Sequence, residues 1–173
     1  MTPRRADAER NCEKILTVAR DAFTCDEDVS MAEVARRAGV GMGTLYRNFA
    51  NRQELLEALF THEVDIVCQA AEATELSAWL HRLFGFFTDK RQWVAALLED
   101  GGDCSDPVFG DSRARIIAAG QPLMTAAQQA GEVRDDLTVE QMLDMLCAIA
   151  TIPAEPAYLD PIFAAALDGL KPR

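Results

Sequence analysis

Arg36, Arg37, Arg47 and Arg52 fall between Val34 and Gln53, a stretch without a single Asp or Glu. Hydrogen-bonding side chains stand among and beside them: Ser30, Thr44 and Tyr46. Guanidinium groups fork onto phosphate oxygens or a guanine edge, and hydroxyls bond phosphate or base. The chain as a whole carries a formal net charge of −11, so this window runs against its background. Such a set suits a polyanion, provided the backbone gathers the arginines on one face.

The surrounding residues predict that backbone. Ser30 and Glu33 form S-x-x-E, a capping box that would satisfy two orphan amides at a helix start, with Val29 and Val34 as its hydrophobic staple. Met31, Val34, Ala35 and Ala38 recur at helical spacing. Gly39 then stands where a helix ends in the left-handed conformation, and Val40 is expected to plug the angle to the next helix. That helix spans roughly Gly41 to Phe49, with Leu45 and Phe49 inward and Met42, Gly43, Thr44, Tyr46 and Arg47 outward. Asn51 and Glu54 open a third helix. A helix-turn-helix with an all-positive face results. On a short helix entering the major groove the N-terminal residues approach base edges, here Met42, Gly43 and Thr44. Arg47 can read guanine or clamp phosphate. Ser30 can bond phosphate or simply cap, and Arg36 belongs to the same basic face.

The stretch AEVARRAGVGMGTLYRNFANRQELLEAL resembles the DNA-binding domain of the TetR family of bacterial transcriptional regulators. The resemblance rests on the Ala38-Gly39-Val40 turn, Gly43-Thr44-Leu45-Tyr46, aromatic Phe49, Arg52 and Leu55-Leu56. Gly41 departs from the usual capping Ser, and Asn48 from the usual His or Tyr. The resemblance implies phosphate contacts from Tyr46 and Arg52. It also implies an all-helical C-terminal domain that binds a small molecule and dimerises through its last helices.

Composition sets the remaining bounds. The 173 residues are 49% hydrophobic, enough for one good core or two small ones. No apolar run of about 18 residues exists to span a membrane, and the N-terminus has no secretory segment, so a cytoplasmic protein is expected; the resemblance implies a bacterial, nucleoid-associated one. Cys12, Cys25, Cys68, Cys104 and Cys147 are scattered without a C-x-x-C pair and are expected as reduced thiols. Residues 1–60 hold nine basic and ten acidic side chains, the remainder eight and 18, so the acidic excess lies in the C-terminal part. That part would be repelled by DNA and orient the molecule.

Strand signals are absent and helical periodicity runs nearly throughout, giving an all-α fold of about nine helices. Residues 1–50 are expected as the three-helix DNA-binding domain, after a mobile arm, Met1 to Ala6, whose Arg4 and Arg5 approach phosphate. Residues 51–173 are expected as the ligand-binding and dimerisation bundle. A helix from Asn51 to about Ala73 joins the two without a flexible linker. Aromatic-rich segments follow at Ser77–Thr88 and Gln92–Asp100, then Asp111–Ala130, a T-x-x-Q capping box at Thr138 and Gln141, and a last helix beginning at Asp160-Pro161. Pro122 leaves the Ala118 carbonyl without its helical partner and is expected to kink its helix. Phe84, Phe87, Trp93, Met124 and Cys68 are the expected lining of an apolar effector pocket, suited to a neutral or cationic hydrophobic molecule. The dimer is expected to use the faces Met142-Leu143-Leu146-Ile149 and Ile162-Phe163-Ala166-Leu167.

An enzyme is not expected. His62 and His81 are the only histidines and fit structural or surface roles, and no nucleophile-elbow, zinc-protease, P-loop or dinucleotide motif is present. Asp100, Asp103 and Asp106 lack calcium-loop spacing, and no metal or other cofactor is expected. The resemblance implies instead a repressor released by a small hydrophobic molecule, homodimeric on a pseudo-palindromic double-stranded DNA operator. The competing readings are a regulator triggered by cysteine oxidation and a small-molecule-binding bundle without DNA function.

Overall fold

The computed structural model describes the backbone of residues 3–25, 29–99 and 107–172, and the side chains of 10–23, 29–89, 91 and 111–172. Among them there is no strand. Eight α-helices follow in order: α1 Pro3–Cys25, α2 Met31–Ala38, α3 Met42–Asn48, α4 Arg52–Ala70, α5 Leu76–Glu99, α6 Pro107–Gln129, α7 Val139–Ala150 and α8 Pro156–Asp168. A single 3₁₀ turn, Ala71–Ala73, extends α4 to the predicted end. The chain divides into two compact units, Met1–His62 with Gln92–Asp106, and Glu63–Arg91 with Pro107–Arg173. The division falls within α4, so that helix is common to both.

The helix ends follow local chemistry. Gly39 has φ +66°, and Gly39 and Val40 donate to the Arg36 and Ala35 carbonyls at 3.2 and 3.0 Å. Gly131 has φ +71° and closes α6 in the same way: Gly131 donates to Gln128 and Glu132 to Ala127. Both are Schellman turns, whose left-handed residue glycine adopts without a Cβ clash. Thr138 and Gln141 form both halves of their box, at 3.3 and 3.0 Å.

Four expectations are corrected. The chain is already helical from Pro3, which suits proline at a first helical position, so Met1–Ala6 is not an arm throughout. The segments expected from 77 and from 92 are one helix, α5, through Glu99, because Asp89, Lys90 and Arg91 between them contain no breaker. Helix α6 starts at Pro107 instead of Asp111. Helix α8 starts at Pro156, with Glu155 as its cap, and Pro161 lies inside it. Either proline can begin a helix; the earlier one does, and Leu159 is thereby buried to 2% exposure.

In the first unit Ile15, Leu16, Ala19, Ala22 and Phe23 of α1 are buried, as are Val34, Leu45, Phe49 and the Leu55-Leu56 pair. Each fully buried Leu or Phe contributes about 1.5–3 kcal/mol. In the second unit the core centres on Trp79, Leu80, Leu83, Met124, Met142 and Leu146. The Trp79 Nε1–H donates to the Val67 carbonyl near the end of α4 at 3.0 Å. Its ring lies so close to Gly120 of α6 that a Cβ there would be 2.5 Å from the indole. Phe84 stacks on Phe163 of α8 with ring centroids 4.2 Å apart, and His81 meets the same ring edge-on at 5.0 Å.

Candidate nucleic-acid interface

Helix α3 is only seven residues long, and its two sides differ completely. Leu45 is fully buried and the closing Phe49 is 5% exposed, while Met42 and Tyr46 stand 39% and 49% exposed. Those two are among only three large apolar side chains exposed in the described residues. Exposed aromatic and apolar surface on a short, anchored helix marks a contact surface rather than a core face. Gly43 and Arg47 are exposed beside them and Thr44 is half-buried. A Cβ at Gly43 would meet nothing within 4 Å, so the backbone there is open to close approach.

Arg47 lies along its own helix. Its Nε donates to the Gly43 carbonyl and its Nη2 to Thr44 Oγ1, both at 3.0 Å. Two of five donors are thus engaged and no described acid pairs with it, which leaves its charge available to an anion. Asn48 donates to the Thr44 carbonyl at 2.7 Å. Gly41 caps with its backbone alone, accepting from Thr44 and Leu45 at 2.8 and 3.0 Å. Arg52, the first residue of α4, holds its guanidinium 5.2 Å from the Phe23 ring centroid. That cation–π contact fixes its base on the core.

The basic face is less positive than expected. Glu33, one residue before the acid-free window, takes Arg36 in a two-pronged pair at 2.8 and 2.7 Å and Arg37 at 2.6 Å. Hydrogen bonds from Arg36, then Arg37, hold its carboxyl down at about 2. A folded value below the free one means that pairing favours the fold above the ordinary carboxylate range and is lost only as pH falls toward 2. The same pairing dismantles half of the predicted capping box. Ser30 Oγ accepts from the Glu33 amide at 3.3 Å, but the Glu33 carboxylate is drawn a turn down the helix to the arginines. Charge-assisted bonds outweigh a neutral amide cap. Neutral Gln141 has no such alternative and completes its box. At the third start Asn51 accepts from Glu54, whose carboxylate reaches back to the Ala50 amide, both at 2.8 Å. Glu33→Gln should free both arginines for phosphate. Its binding to duplex DNA should tighten, and the salt dependence should steepen by about one unit; an unchanged slope would show that Arg36 and Arg37 do not reach the backbone.

Thus α2 and α3 gather Ser30, Arg36, Met42, Gly43, Thr44, Tyr46 and Arg47 in two consecutive short helices, with Arg52 opening the next. The side chains of Arg4 and Arg5 lie outside the described residues.

In the second unit, Phe84, Phe87 and Met124 are core residues, 7%, 5% and 1% exposed. Trp93 and Phe109 have side chains outside the described set, as do Cys25 and Cys104; residues 100–106, with their acid cluster, lie outside it altogether. Cys68 is half-buried in an open cleft of about 620 Å³ with Asp65, Glu72, Arg115, Ala118 and Pro122. A second cavity, about 340 Å³, is lined mainly by Leu76, Leu80, Ala127, Val133, Leu167 and Leu170. Phe84, Phe87 and Met124 line neither. Nothing in the residue spacing pointed to the second cavity, because its walls come from the ends of three helices. Among the described residues no group of His, Cys, Asp and Glu is placed to hold a metal, and no helix is long and apolar enough to cross a membrane.

Comparison with known proteins agrees with this arrangement. Residues 15–59 match the family described as bacterial regulatory proteins, tetR family, and residues 69–172 match the transcriptional regulator SbtR-like C-terminal domain. A TetR transcriptional regulator from Streptomyces coelicolor is 36% identical, with 93% of this chain and 98% of that one covered and a TM-score of 0.78. A TetR transcription regulatory protein from Mycobacterium vanbaalenii is 32% identical, over 98% of this chain and all of its own, with a TM-score of 0.75. An HTH-type transcriptional regulator of Staphylococcus aureus is 42% identical over 65 residues, 36% of this chain. The match spans about a third of that curated relative's length. With both halves matched in order, and the helix-turn-helix built as its residues require, the chain belongs to the TetR family of bacterial transcriptional regulators.

Proposed function

We propose that this protein is a homodimeric, DNA-binding repressor that leaves a pseudo-palindromic operator when a small molecule occupies its C-terminal unit. Helix α4 is the observation that carries the ligand-responsive part. Three residues separate it from α3, and its last turns supply Asp65 and Cys68 to the larger cleft. One continuous helix thus follows directly on the contact helix at its beginning and borders a ligand-sized space at its end, which gives the two sites an element in common. Effector release is tested by footprinting the DNA that flanks the protein's own gene, then repeating the measurement across a small-molecule library. A protected palindrome that no compound releases would leave the DNA function without its trigger.

Dimerisation finds its support in α8. Met142, Leu143, Leu146, Ile149 and Phe163 are already buried within one chain. The outer side of α8 is what remains: Tyr158 is 61% exposed, Pro161 and Ala165 are exposed, and Ile162 and Ala166 are half-buried. These positions recur at helical spacing, and a two-fold axis would set the stripe against itself. Light scattering should give about 38 kDa, twice the 19.0 kDa chain, and Tyr158→Glu should shift the mass toward the monomer. A wild-type monomer at tens of micromolar would remove the dimer from the proposal.

Cysteine oxidation is disfavoured as the trigger at Cys12 and Cys68, where burial pushes the thiols up, away from the thiolate that reacts.

A further inference from the structure

The cleft between the end of α4 and the middle of α6 has a chemistry of its own. Pro122 lies inside α6 and has no N–H, so the Ala118 carbonyl lacks the donor that every normal helical residue supplies four positions on. Ala118 and Pro122 both line the cleft. A residue whose carbonyl has lost its helical donor therefore belongs to the wall of a space large enough for a small organic molecule. The charged groups facing that space are Asp65, Glu72 and Arg115. Arg115 is already hydrogen-bonded to Asp65, an ion pair that joins α6 to α4. One negative charge is left over, and Cys68 adds a half-buried apolar wall.

We infer that this cleft is a binding site for a small organic monocation that carries N–H donors, such as a primary ammonium or an amidinium. Resting on the proposed ligand-release function, this assigns the effector's chemical class. Two carboxylates face one guanidinium in the cleft, and a single positive charge balances it. An N–H group satisfies the Ala118 carbonyl, which a quaternary ammonium cannot do. A cation that reaches Asp65 also competes with Arg115 for it, and so loosens the pair that ties the end of α4 to α6. An anion would meet Glu72 and Asp65 instead and be excluded.

Calorimetry on the full-length protein with four probes of one shape tests this: benzylammonium, benzyltrimethylammonium, benzyl alcohol and benzoate. Benzylammonium should bind at least tenfold tighter than the other three. Asp65→Asn and Pro122→Ala should each weaken it tenfold or more. Pro122→Ala restores a helical N–H to the Ala118 carbonyl and should melt no lower than wild type, so its loss of binding cannot be unfolding. Equal binding of benzoate, no detectable binding of benzylammonium, or binding indifferent to both substitutions would overturn the site. Variant-sensitive binding of benzylammonium that left operator affinity unchanged would keep the site and refute the release function. Operator release by a neutral compound that ignored both substitutions would do the reverse.

Discussion

Gly120→Ala should lower the thermal midpoint by roughly 6–12 °C, a loss of about 3 kcal/mol for a chain of this size. An added Cβ would lie 2.5 and 2.7 Å from two atoms of the Trp79 ring and 3.3 Å from Val139. Such overlap is relieved only if something moves. Trp79 is 1% exposed, and its indole N–H is bonded to the Val67 carbonyl, so the ring cannot slide without breaking that bond in an apolar interior. Val139 begins α7 and is 2% exposed, which closes the other direction. Differential scanning calorimetry of the single variant measures the effect, and Trp79→Phe combined with Gly120→Ala should recover part of it. A midpoint within a degree or two of wild type would show that the helices part easily here, and that the core is looser than its burial implies.

At the other end of the chain, Arg47→Ala and Tyr46→Phe should each weaken operator binding by about 1–3 kcal/mol, roughly five- to 150-fold, without changing the melting temperature. Both side chains are exposed and neither fills the core, so removal leaves Leu45 and Phe49 in place. The hydroxyl of Tyr46 is the only group its substitution deletes. Arg52→Ala should behave differently, because its contact is expected on phosphate: affinity should fall evenly across sequences, and the salt dependence should flatten by about one unit. Electrophoretic mobility shifts at three salt concentrations separate these outcomes. Wild-type affinity in all three variants would mean that this face does not touch DNA.

The elements whose ends are decided by one or two neighbouring residues were legible in the sequence. Gly39 and Gly131 both adopt the left-handed turn, Thr138 and Gln141 close their box, and the helix from Arg52 reaches its predicted end through the 3₁₀ turn Ala71–Ala73. Misreadings arose where two local signals competed. Glu33 had an amide and two arginines within reach and took the arginines. Asp160-Pro161 carried the signal of a cap followed by proline, but α8 starts five residues earlier, at Pro156. The inward and outward sides of α3 were legible because periodicity assigns faces. Cavities were not, because periodicity says which side chains turn inward and nothing about how tightly they fill. Phe84 was expected beside a ligand; it lies flat against Phe163, at an interplanar angle of 3°.

The bond from Trp79 to Val67 also gives this protein an optical probe of its own. Indole emission responds to the loss of a hydrogen bond and to water. The chain has only two tryptophans, so Trp93→Phe would leave Trp79 as the sole emitter. Its wavelength would then report whether the carbonyl near the end of α4 is still held. Stopped-flow traces of that signal would test, with no label attached, whether the helix moves when a candidate effector is added, as the proposed release requires.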